Sequence, residues 1–137
     1  PERAVREALA RREGGAGRVL MPGWADDPGG LIRACSILGC PSRHEPLGNV
    51  VIEGFSATNP VVAAAADGPA ELIRTGENGL LAPVEDAPAL ASALTELLEN
   101  PARAHQIAAA GRRDYDSTFA APPVLAAWRD FLTTVEG

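Results

Sequence analysis

Apolar positions along the chain recur either at helical spacing or in short continuous runs, and the alternation of the two predicts its elements. Val5, Ala8 and Leu9 share one face of a helix closed by Gly14 and Gly15. The run Arg18 to Met21 reads as a strand stopped by Pro22 and Gly23. Asp27 and Pro28 have the chemistry of an N-cap and first helical position, with Leu31, Ile32 and Cys35 apolar behind them. Ile37 to Cys40 reads as a second strand, ended by Pro41. From Gly48, the residues Val51, Ile52 and Phe55 form a helical stripe that stops near Asn59 and Pro60. A strand PVVAAA follows, then a loop at Asp67 and Gly68, a short helix from Pro69 to Arg74, the turn TGENG and a strand from Leu80 to Pro83. Short strands alternating with helices predict a parallel sheet with crossover helices, a doubly wound, Rossmann-like α/β domain. The last third reads as three packing helices. Leu90, Leu94, Leu97 and Leu98 line the first; Ile107, Gly111, Tyr115 and Phe119 line the second; Val124, Trp128, Phe131 and Val135 face inward on the third.

Composition narrows the class. A chain of 137 residues with 46% hydrophobic content can bury a core as one domain. A formal charge of -6 supplies no field for a polyanion, so neither a nucleic-acid groove nor an anionic membrane surface is expected. All 12 basic side chains are arginine, which excludes a P-loop lysine, a Schiff base or a lysine base within this chain. A bound phosphate must then be held locally. Cys35 and Cys40 lie in apolar company and are expected as core thiols of a reducing compartment, not as a disulfide or a zinc pair. No apolar run approaches the roughly 18 residues of a membrane span and no signal-peptide core opens the chain, so a cytoplasmic domain is expected.

The segment PSRHEPLGNVVIEG carries the candidate chemistry. In doubly wound sheets ligands sit beyond the carboxyl ends of strands, where loops feed helix N-termini. The strand ending at Cys40 delivers such a loop, and Glu45 stands on it. Gly48, lacking a side chain, lets a ligand approach the amides of Gly48, Asn49 and Val50, which have no partner inside the helix and carry its partial positive charge. That arrangement suits a phosphate. Glu53 lies five residues into the helix, about 7 to 8 Å along the axis from the first free amide. A diphosphate at the tip, a ribose against Glu53 and a sugar near Glu45 match this spacing. No Asp-x-Asp pair and no His/Asp cluster has ligand spacing, so no metal and no cofactor is expected.

This segment, followed by NPVVAAAADGPAELIRTGENGLLAP, resembles the C-terminal, donor-binding half of the retaining GT-B glycosyltransferases of family 4, with their Glu-x7-Glu motif. The resemblance covers nearly the whole of residues 1–137. It implies that Glu45 contacts the donor sugar as the catalytic carboxylate, that Asn49 and Val50 offer amides to the diphosphate, and that Glu53 binds ribose. Leu47, Gly48 and His44 belong to the same loop and join the nucleotide-sugar site. PGWADD resembles the family's loop beside the base, which makes Trp24 and Ala25 base-side candidates. Asp67 and Gly68 stand where the family often has two glycines, so Gly68 is assigned to the ligand side; Thr58 replaces a usual glycine before the Pro-Val strand. The implied activity is transfer of a hexose from a nucleotide diphosphate sugar with retention, in polysaccharide biosynthesis at or near the inner face of a membrane.

The same resemblance implies two further strand and helix units, with a basic pair, between Arg18–Met21 and Ile37–Cys40, and an N-terminal acceptor domain as partner. Without them the chain is expected to be inactive alone. Two other readings stay open: a non-catalytic sugar-nucleotide-binding module, and a related GT-B epimerase or phosphorylase. For single residues, plainer roles compete. His44 is as well explained by a backbone bond as by a sugar contact and Trp24 by packing as by a base, while for Arg43 surface exposure is the default over diphosphate charge. Gly76 and Gly79 read as turn residues needing positive φ.

Overall fold

The structure, a computed structural model, describes residues 2–135. A parallel sheet in the order β1-β2-β3 forms its centre, with β1 at Leu38–Cys40, β2 at Val61–Ala64 and β3 at Leu80–Ala82. Gly39 lies opposite Val62, and Ala63 opposite Leu81. Helix α1 (Glu2–Arg12) and helix α2 (Pro28–Ala34) precede the sheet. Helix α3 (Asn49–Ser56) joins β1 to β2, and α4 (Asp67–Leu72) joins β2 to β3. Both crossovers step the same way across the sheet, so right-handed connections place both helices on one face. There Val51 and Phe55 pack with Ile73 on Cys40, Val61 and Ala63. On the other face α5 (Ala87–Glu99) and α6 (Pro101–Asp114) set Leu97, Ala104 and Ile107 against Val62 and Leu80. The alternation along β2 therefore feeds two cores, and all its residues are buried.

Local chemistry starts the helices, at Asp27 as expected. The side chains of Asp27, Asp86 and Asn100 accept from the amides of Gly30, Ala89 and Arg103 at 2.7, 2.9 and 3.1 Å, each with proline in the first turn. Helix α3 ends in a Schellman closure: the Thr58 amide donates to Phe55 O at 3.1 Å and the Asn59 amide to Gly54 O at 2.9 Å. Thr58 occupies the left-handed position of that closure at φ 61°. Asn59, buried, donates its side-chain amide to Ile32 O at 2.6 Å and Cys35 O at 3.1 Å, tying the end of α2 to the end of α3.

A second fastening joins the β3 approach to α6. Asn78 is fully buried; its Oδ1 accepts from the Arg74 amide at 2.8 Å, and its Nδ2 donates to Leu72 O at 3.0 Å and Asp114 Oδ2 at 2.7 Å. Hydrogen bonds from the Arg74 guanidinium to Glu77 and Asp114 raise its pKa above the ordinary arginine value. Beside this, α6 closes on α3 at Gly111, where a Cβ would stand 2.5 Å from the Phe55 ring.

Several expectations are corrected. Arg18 to Met21 forms no strand, because a strand needs a neighbouring backbone and the described sheet offers it none. Helix α4 begins at Asp67, two residues before Pro69. The helical run through Gly111 widens into a π turn at Tyr115–Phe119, so the four-residue period breaks before Phe119. In α7 (Ala121–Val135) no residue is buried: Val124, Trp128, Phe131 and Val135 are 37 to 68% exposed instead of inward, because the helix packs chiefly on the π turn. Trp128 and Phe131 cover each other edge to face at 6.0 Å. Cys35 is exposed at the C-cap of α2, not a core thiol, whereas Cys40 is buried. Gly76 has the expected φ of 83°, but Gly79 does not; its need is closeness, since a Cβ would lie 3.0 Å from Ile73 Cγ2 and 3.1 Å from Val61 O.

Candidate functional site

Beyond Cys40 the chain leaves the sheet and turns into α3 at Gly48, the N-cap, with φ 71°. Two constraints demand glycine here: the left-handed backbone, and the Leu72 methyl that would lie 2.7 Å from a Cβ. Gly68 meets the same loop from behind. A Cβ on it would stand 2.5 Å from Gly48 N and from the Leu47 carbonyl carbon, and its amide donates to Glu45 O at 2.8 Å. The loop carrying Glu45 therefore rests backbone on backbone against the start of α4. Gly68 is buried and backs the loop, while Asp67 is exposed.

At the tip of α3 the amides of Val51 and Ile52 both donate to Gly48 O, at 2.9 and 3.2 Å. Those of Asn49 and Val50 have no hydrogen-bond partner among the described residues. The Gly48 amide, expected to be free as well, donates instead to Glu45 Oε1 at 3.1 Å. The tip thus presents two open donors beside a carboxylate held in place by a third, on a helix whose dipole favours an anion. Glu45 is half-buried.

Glu53, exposed, points to a groove of about 220 Å³ between α2 and α3, facing Gly29, Ile32 and Arg33. The structure places the two glutamates at the tip and along the side of one short helix. Around them, Leu47 is 70% exposed beside the open amides. His44 is exposed and makes no side-chain hydrogen bond among the described residues. Trp24 is 92% exposed in the loop entering α2, with Ala25 half-buried next to it, so Trp24 is not a core aromatic. Arg43 pairs with Glu85 at 3.0 Å across the carboxyl ends of β1 and β3. Among the described residues no three His, Cys, Asp or Glu side chains converge as a metal site, and no helix is long and apolar enough to cross a membrane.

Two residues of this region escape a reading of the sequence. Arg33 carries no motif, and only its place four residues behind Gly29 hints that it can fold back along α2. Leu72, whose methyl closes on Gly48, looks like any helix leucine.

Residues 1–100 match the family described as glycosyl transferases group 1. Lipopolysaccharide core biosynthesis glycosyltransferase LpsE of Rhizobium meliloti is 32% identical over 133 residues, 97% of this chain and 39% of that protein. The structure of Anabaena HepE in complex with UDP and glucose is similar at a TM-score of 0.86 and 27% identity, covering 93% of this chain and 35% of that one. The C-terminal domain of LpcC from Francisella tularensis, 23% identical, shares the fold at a TM-score of 0.76 over 84% of this chain and 60% of that one. The chain spans well under half the length of LpsE and HepE. Its fold is that of a GT-B C-terminal domain, and the chain belongs to the group 1 glycosyl transferases.

Proposed function

We propose that this chain is the donor-binding part of a retaining sugar transferase, as in family 4, holding a nucleotide diphosphate sugar at the tip of α3. The observation that carries the reading is the pair of open amides on Asn49 and Val50, seated on a loop that Gly48 and Gly68 lock in place. HepE, similar over nearly this whole chain, is known with UDP and glucose.

In this reading the diphosphate lies on the two amides, and the ribose hydroxyls donate to Glu53. As the bond to the sugar breaks, negative charge grows on the diphosphate oxygens. Donors fixed in advance by the fold then bind more strongly in the transition state than in the ground state, which raises rate and not only affinity. Glu45, oriented by the Gly48 amide, faces the sugar and the positive charge developing on it. An acceptor-binding part elsewhere in the protein completes the site, and no metal is required to offset the leaving charge. Polysaccharide or lipid glycosylation from the cytoplasmic side fits this role.

Calorimetric titration with UDP and UDP-glucose tests the reading. Glu53→Gln should weaken UDP about tenfold, the scale of hydrogen bonds lost from a charged acceptor. Glu45→Gln should leave UDP affinity within a factor of two or so while transfer by the full-length protein falls about a hundredfold or more. Unchanged UDP affinity in Glu53→Gln refutes the ribose assignment; retained transfer in Glu45→Gln favours a binding module.

A further inference from the structure

The groove between α2 and α3 has a carboxylate on one wall and a guanidinium on the other. Glu53 comes from α3; Arg33 comes from the last turn of α2 and folds back along that helix. Its position is fixed by two features. Gly29 leaves room for it, since a Cβ there would lie 3.2 Å from Arg33 Nη1, and Asp27 draws it at 3.5 Å from Nη2. The guanidinium therefore sits at the end of the groove nearest the loop of Trp24 and Ala25 and keeps donors free, because a 3.5 Å approach to one carboxylate oxygen leaves most of its five N–H groups unused.

From this geometry we infer that Arg33 is a specificity-determining residue that reads the nucleobase of the donor, selecting bases with a ring carbonyl oxygen, uracil or guanine, over adenine. The inference rests on the ribose lying against Glu53. A ribose there leaves its base to run along the groove toward Arg33, with the exposed indole of Trp24 as a stacking face. A planar fork of donors matches a ring carbonyl oxygen, taking one acceptor on uracil and, on guanine, the neighbouring ring nitrogen as well. Adenine, with an amino group in place of that carbonyl, presents a donor to a donor.

Titration of the chain with UDP, GDP, ADP and inorganic pyrophosphate, in the wild type and in Arg33→Gln, tests it. In the wild type UDP or GDP should bind at least about tenfold more tightly than ADP, and Arg33→Gln should remove most of that preference while pyrophosphate affinity stays unchanged. Arg33 is exposed, so the variant should melt with the wild type, and circular dichroism checks that it does. Equal binding of the preferred nucleotide by wild type and Arg33→Gln overturns the role of Arg33 and leaves the cradle intact. Failure of pyrophosphate and of every nucleotide to bind the wild type overturns the cradle itself, and this inference with it.

Discussion

The two ends of α3 make opposite use of one backbone conformation. At the N-terminal end Gly48 is left-handed and the next two amides stay open; at the C-terminal end Thr58 is left-handed and the Schellman bonds and Asn59 satisfy the groups around it. The open end pairs its unmet donors with a residue that adopts its φ at no steric cost. The closed end holds a strained threonine where the Schellman bonds and the Asn59 side chain pair the backbone around it. Open donors and satisfied ones are thus separated along eight residues of helix.

Substitutions at each end separate the two roles. The largest effect should come from Gly68→Ala: its Cβ meets backbone on three sides and nothing there can give way, so a loss of about 3 kcal/mol in urea unfolding is expected, together with loss of UDP binding. If UDP affinity survives, the locked loop does not hold the cradle. Asn59→Ala removes two hydrogen bonds at the closed end and should cost about 2 kcal/mol, with UDP affinity in the folded variant unchanged. The smallest effect has the opposite sign. Thr58→Gly relieves the left-handed strain but adds freedom to the unfolded chain, so a net gain of about 0.5 to 1 kcal/mol is expected, read as a higher urea midpoint with no change in nucleotide affinity. A destabilised Thr58→Gly would show that the threonine side chain contributes more than its backbone costs.

What could be read from the sequence follows from the range of each interaction. Caps depend on three or four neighbouring residues, and the one at Asp27 lies where the sequence puts it. The three sheet strands are short apolar runs between turn residues and are equally plain. Arg18 to Met21 has the same composition, but whether it becomes a strand depends on a partner its own residues cannot encode. The stripe on α7 shows an apolar face without showing what meets it. At the candidate site, the glutamates and Gly48 were visible as a motif. The bond from the Gly48 amide to Glu45 turns on the rotamer of one loop side chain, and the approach of Gly68 on how two loops twenty residues apart stack, so neither was. Asn78 read as a turn residue because its turn is local, whereas its burial comes from Asp114 on a distant helix.

That last contact bears on how long the molecule lasts. Asn followed by Gly is the step at which a flexible polypeptide most readily cyclises to a succinimide and loses an amide group. Here the side chain of Asn78 is held by the Arg74 amide, Leu72 O and Asp114, bonds that the carboxamide would have to give up to react with the Gly79 nitrogen. Native molecules are shielded from this decay and opened ones are not. Once hydrolysed, residue 78 would carry an acid against Asp114, a clash of like charges at a buried position. Covalent ageing and unfolding therefore reinforce each other at this corner of the sheet.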